Sequence, residues 1–138
     1  MRETTEFTFE VNAPYDKVAP LFGADEERRW AKGWAPRFIH PDPAADVEGA
    51  VFLVETIVWV NTIFDLKNGR VQYVNFNPEG VATRIDIHIT GSASTTVRVL
   101  YERTAVAAGA EDLVRKLGED DRKKAPEWKA AVSAAAGA

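Results

Sequence analysis

The chain has 138 residues, a net charge of −4 and no cysteine. That length suits a single domain able to bury about two-thirds of its surface, and the missing thiols exclude disulfide frameworks, thiolate metal sites and cysteine nucleophiles. No uncompensated basic tract occurs, since Arg122, Lys123 and Lys124 follow directly on Glu119, Asp120 and Asp121, so no nucleic-acid partner is expected.

The first ten residues are charged and lack the apolar stretch of a signal peptide. The longest apolar runs, Val51–Val54 and Ile57–Val60, are too short to cross a bilayer. A cytoplasmic protein without integral membrane association is the expectation. Thr4 to Val11 alternates apolar and polar residues, which predicts a half-buried strand. Pro14 then opens a short helix that Pro20 ends or kinks. Asp25 is placed to cap a second short helix running to Trp30, with Gly33 as its stop.

Pro36, Pro41 and Pro43 predict extended or looped backbone with a short edge strand over Arg37–His40. From Gly49 onward the chain is rich in β-branched and aromatic residues. Five strands are predicted, over Ala50–Glu55, Thr56–Leu66, Arg70–Asn77, Ala82–Thr90 and Thr95–Ala105. Asn68-Gly69 is the strongest turn signal and predicts a two-residue hairpin loop. With that loop, Val58, Val60, Thr62 and Phe64 share a face with Val71, Tyr73 and Asn75. The opposite face then carries Trp59, Ile63, Val74 and Phe76, an apolar patch whose simplest partner is a second copy of the chain. In the last hairpin Ile85, Ile87 and Ile89 must match Val97, Val99 and Tyr101, because a one-residue slip would set isoleucines against Arg98 and Glu102.

Ala110 to Ala135 carries apolar residues at three-to-four spacing, namely Leu113, Val114, Leu117, Ala125, Trp128, Val132 and Ala135, with Asp121 the one polar exception. Pro126 should kink this long helix or start a second segment. The whole is an α+β chain in which a curved antiparallel sheet of six to seven strands wraps around the C-terminal helix, with two short helices after the first strand.

Several features carry a resemblance across nearly the whole chain. They are Phe9-Glu10-Val11-Asn12-Ala13-Pro14 running into Val18, Trp30-x-x-x-Trp34-x-Pro36, and Phe64-Asp65 before Asn68-Gly69-Arg70-Val71-x-Tyr73. To these add Thr96-x-x-x-x-Tyr101-Glu102-Arg103-Thr104, and Trp128 in the last helix. In these the chain resembles the START-like (SRPBCC) superfamily, the helix-grip fold of polyketide cyclases and birch-pollen-allergen relatives. The resemblance implies one domain over residues 1–138 and a cavity between helix and sheet for a lipid, polyketide or other apolar molecule.

Chemistry-bearing motifs are sparse. There is no glycine-rich phosphate loop and no GxSxG elbow, and no cofactor is expected. Asp86 and His88 share a strand face but supply too few ligands for zinc, so no metal site is expected. His40, after Phe38 and Ile39, is the one candidate general base. The aromatic residues are the informative set. Trp30, Trp34, Phe38, Phe52, Phe64, Tyr73, Tyr101 and Trp128, with Asn75, Ile87 and Leu117, are the expected cavity wall. The leading function is binding of a small apolar or amphipathic ligand without catalysis. The rivals are a cyclase-, aromatase- or dehydratase-like enzyme acting by pocket shape and one base, and a chaperone-activator-like interaction module using the Trp59 and Phe76 face.

Overall fold

The computed structural model describes all residues, 1–138. Seven strands form one antiparallel sheet: β1 (Arg2–Val11), β2 (Arg37–His40), β3 (Val51–Val54), β4 (Ile57–Asp65), β5 (Arg70–Asn77), β6 (Val81–Gly91) and β7 (Thr95–Ala105). Their spatial order is β1-β7-β6-β5-β4-β3-β2. Strands two to seven form the expected meander, and β1 closes the far side by pairing with β7 over its full length. Between β1 and β2 lie a one-turn helix, α1 (Tyr15–Val18), and two 3₁₀ turns, Ala19–Phe22 and Glu26–Arg29. The C-terminal helical stretch is two helices, α2 (Glu111–Asp121) and α3 (Lys124–Ala135). Pro126 sits in the first turn of α3, where its missing N–H costs nothing. No helix is long and apolar enough to cross a membrane.

The β6–β7 register is the one that hydrophobic phasing requires, with Ile85 opposite Tyr101, Ile87 opposite Val99 and Ile89 opposite Val97. Their side chains join Phe9, Val11, Val71, Tyr73 and Val132 in the main core. Leu117 is not part of it: together with Leu113 it packs on a small separate cluster of Val81, Ala110 and Val114.

The β4–β5 hairpin departs from expectation. Its loop is four residues, since Asp65 pairs with Arg70, and the Asp65 carboxylate accepts from the Asn68 amide nitrogens, main chain (3.2 Å) and side chain (2.8 Å). Phe64 still shares a face with Val71, but a β-bulge at Thr62 lies between Asn61 and Ile63 and reverses the phase beyond it. Trp59 therefore stands opposite Asn75, and Asn61 opposite Tyr73, on the concave side. Asn61 is buried. With its amide nitrogen toward the acceptors it donates to the Ile63 carbonyl (2.7 Å) and the Gln72 carbonyl (3.1 Å), across the bulge.

The outer apolar face consequently differs from the expected set. Val58 and Val60 join Ile63, Val74 and Phe76 there, and Trp59 leaves it. Val58 is 47% and Phe76 54% exposed. Substituting neighbours with lysine tests the bulge. Val58→Lys is expected to change stability by less than about 0.5 kcal/mol, and Trp59→Lys to cost at least about 2 kcal/mol, in urea unfolding. Equal costs would contradict the reversed phase.

Candidate functional site

A cavity of about 340 Å³ lies between α3 and the sheet. Its wall contains all four tryptophans, Trp30, Trp34, Trp59 and Trp128, with Tyr73, Tyr101, Ile85 and Ile87 from the strands and Ala131 from α3. Exposed Lys32, Gly33 and Glu127 mark its mouth.

The indoles are held by one another and by backbone carbonyls. Trp30 packs edge-on against Trp128 at 5.2 Å, and Trp34 against Trp59 at 5.3 Å, between ring centroids. Trp30 Nε1 donates to the Leu21 carbonyl (2.7 Å), Trp34 Nε1 to Ala24 (2.7 Å) and Tyr73 Oη to Phe22 (2.6 Å). Three rings thus grip the connector segment Leu21–Ala24, and an indole or phenol buried this way keeps its polar atom satisfied. Asp46, from the loop before β3, accepts from the Asp25 (2.7 Å) and Glu26 (3.2 Å) main-chain nitrogens. It caps the second 3₁₀ turn in place of the expected Asp25, whose carboxylate instead meets Arg28 Nε at 2.9 Å.

That turn carries Glu27 into the cavity wall at 8% exposure. Burial, and secondarily the nearby Asp46 charge, push its carboxyl well above the usual glutamate range. Burial likewise raises the Tyr73 and Tyr101 hydroxyls, and Glu27 adds to both shifts. The carboxyl and both tyrosines line the same cavity.

Opposite Glu27 is a cluster of charges. Arg103 continues the inward phase of Val97, Val99 and Tyr101 on β7, and Asp121 ends α2. The guanidinium grips the carboxylate with Nε on Oδ2 and Nη2 on Oδ1, both at 2.7 Å, while Nη1 reaches Thr83 Oγ1 at 3.1 Å. Arg103 is 9% and Asp121 1% exposed. Lys124, at the start of α3, donates to Asp121 Oδ1 (2.6 Å) and lies 4.2 Å from the centre of the Tyr101 ring. Burial lowers the Lys124 ammonium, and Asp121 opposes that shift.

Of the residues expected from the sequence, the structure brings Trp30, Trp34, Tyr73, Ile87, Tyr101 and Trp128 to the cavity. Phe38 and Phe52 stack on each other behind Trp34 and Trp59, with centroids 5.2 Å apart, and Phe64 packs against the core. These three support the wall without forming it. Asn75 and Leu117 are not in the wall. His40 is exposed at the end of edge strand β2, opposite Val51 and past a register shift that follows Phe38. Asp86 is held by Gln72 Nε2 and Arg84 Nη1, each at 2.6 Å, on the outer face. Sequence reasoning missed Glu27, Trp59, Arg103 and Lys124. A signal for the third existed: Arg103 keeps the phase of a buried strand, and Asp121 breaks an apolar helix stripe.

Two outcomes follow from these groups. Asp121→Ala leaves Arg103 buried without its counter-charge and is expected to cost about 3–5 kcal/mol in urea unfolding; a loss under about 1 kcal/mol would contradict the pairing. Glu27 titrates higher in the folded state, so its contribution is fully present below the ordinary glutamate value and is lost as pH rises through the raised one. Glu27→Gln removes that loss. Its melting temperature should match the parent near pH 4 and exceed it by at least about 2 °C at pH 8, whereas a pH-independent difference would contradict the assignment.

No family model and no curated protein matches the sequence. Solved structures do match. Ara h 8.0201 aligns over 100% of both chains at 12% identity with a TM-score of 0.73. The Zhui aromatase/cyclase from Streptomyces sp. R1128 aligns over 99% of this chain and 94% of its own, at 15% identity and a TM-score of 0.69. Norcoclaurine synthase from Thalictrum flavum, solved in complex with dopamine and hydroxybenzaldehyde, aligns over 97% of this chain and 86% of its own, at 14% identity and a TM-score of 0.65. A seven-stranded antiparallel sheet closed by a C-terminal helical stretch, shared with these three over most of their length, is the helix-grip fold.

Proposed function

We propose that residues 1–138 act as one START-like domain that binds a small hydrophobic or amphipathic molecule in the cavity between α3 and the sheet. The observation that carries this reading is the space of about 340 Å³ that four tryptophans and two tyrosines enclose and leave unfilled. A volume of that size falls in the range of small-molecule sites, which are mostly apolar with a few placed polar groups. Trp30, Trp34, Trp59, Tyr73, Tyr101 and Trp128 supply flat contact surface, and Ile85 and Ile87 supply the floor. Phe38, Phe52 and Phe64 hold that surface from behind. The cytoplasmic setting read from the sequence belongs to the same proposal.

A second reading is favoured by one group. Glu27 is a cavity carboxyl whose titration burial pushes well above the usual glutamate range, and such a group can pass a proton to or from a bound carbonyl compound. An aromatase- or cyclase-like activity would use Glu27 where the sequence offered His40. The interaction-module reading loses Trp59 from its surface. A homodimer through the outer face would rest on Val58, Val60, Val74 and Phe76.

Native mass spectrometry of freshly purified protein, followed by solvent extraction, tests the main proposal. An added mass of roughly 200–500 Da, released on extraction, is the expected result for a cavity of this volume. Ala131→Phe, which fills the cavity from α3, is expected to abolish the added mass while the protein stays folded. Retention of the mass by Ala131→Phe would contradict the location.

A further inference from the structure

The polar groups of the cavity wall fall into two sets. Those of the first are already used inside the protein. The Trp30 and Trp34 indoles and the Tyr73 hydroxyl donate to connector carbonyls. The Arg103 guanidinium is spent on Asp121 and Thr83. Trp59 Nε1 has no partner, but it is sealed from accessible surface, so a molecule in the cavity cannot reach it.

The second set is open. The Glu27 carboxyl and the Tyr101 hydroxyl have no hydrogen-bond partner in the protein. Both residues line the cavity at 8% and 5% exposure, yet none of their side-chain oxygens is sealed. Lys124 Nζ is open in part, since it bonds Asp121 Oδ1 and has three N–H groups. Buried polar groups of folded proteins are almost always partnered, so these three define what an occupant must supply.

They ask for opposite things. Glu27 has an oxygen that accepts in either protonation state, the spare N–H groups of Lys124 can only donate, and the Tyr101 phenol does both. An ammonium ligand could only donate. It would also meet like charge, because Lys124 Nζ and the Arg103 guanidinium already lie 4.2 and 5.0 Å from the centre of the Tyr101 ring. A carboxylate, ether or ketone could only accept, and would leave Glu27 without a donor. A hydroxyl donates and accepts, without charge.

Resting on the reading of the cavity as a ligand site, we propose that Glu27 is its specificity-determining residue, and that the ligand is an uncharged molecule with an apolar body and a hydroxyl that donates to Glu27 and accepts from Lys124 or Tyr101. Four probes with one naphthalene body test this by calorimetric titration at neutral pH. Naphthol carries the hydroxyl, methoxynaphthalene and naphthoate carry acceptors only, and naphthylmethylammonium carries donors only. Naphthol is expected to bind at least about fivefold more tightly than methoxynaphthalene, although the ether is the more apolar of the two.

Glu27→Met is expected to bring that ratio to within about twofold, and Glu27→Gln, which keeps an acceptor oxygen, to retain most of it. Methoxynaphthalene needs no bond from Glu27, so its binding also reports that each variant is folded. Naphthol bound no more tightly than the ether, tighter binding of the ammonium or the carboxylate than of naphthol, or a ratio that survives Glu27→Met would overturn the hydroxyl assignment while the cavity reading stood. Binding of none of the four would overturn both.

Discussion

Arg103 and Asp121 meet through two hydrogen bonds of 2.7 Å where the C-terminal helical stretch crosses the sheet. Both groups are buried, so neither tolerates separation: a lone guanidinium or carboxylate in that position would face a desolvation cost with nothing to offset it. The pair ties the end of α2 to the C-terminal end of β7, and α3 begins three residues later with Lys124 on the same carboxylate. The direction in which α3 leaves this anchor determines where Trp128 and Ala131 stand above the sheet. The cavity exists because that crossing point is fixed by charge and not by close apolar packing alone.

The opposite wall depends on a different device. The connector between β1 and β2 has little regular structure, yet the carbonyls of Leu21, Phe22 and Ala24 each accept from a ring that lines the cavity. Asp46 fixes the adjoining 3₁₀ turn from outside. Trp30, Trp34 and Tyr73 cannot collapse into the space without breaking a hydrogen bond, and a wall pinned this way favours an unfilled interior. Glu27 is delivered into the wall by the same turn, which explains how a carboxyl comes to be buried in a cavity lined by two tyrosines.

Most of the fold was legible in the residues. The β6–β7 register follows from the isoleucine and valine phase, the break between α2 and α3 from Pro126, and the helix-grip arrangement from element order. The β4–β5 hairpin was not, because the bulge at Thr62 shifts the phase by one and both faces of β4 are apolar, so hydrophobicity could not reveal the shift. That one residue moved Trp59 from an outer patch to the cavity. Six of the expected wall residues reach the cavity: Tyr73, Ile87 and Tyr101 from the inward phase of their strands, Trp128 from α3, and Trp30 and Trp34 from the connector. The charged members were missed for a physical reason: Glu27, Arg103 and Lys124 look like surface residues in isolation, and the pairing with Asp121 that makes the burial of Arg103 tolerable joins elements distant in sequence.

The central claim is that a ligand occupies the space between α3 and the concave sheet. Side-chain and indole resonances of the folded protein, followed during titration with phenylnaphthylamine, test it most directly. The account predicts large shifts at Trp59, Trp128, Ile87 and Ala131, with Val58, Val74 and Phe76 unmoved. Shifts confined to Val58, Val74 and Phe76 would place the binding surface on the outside of the sheet and contradict it.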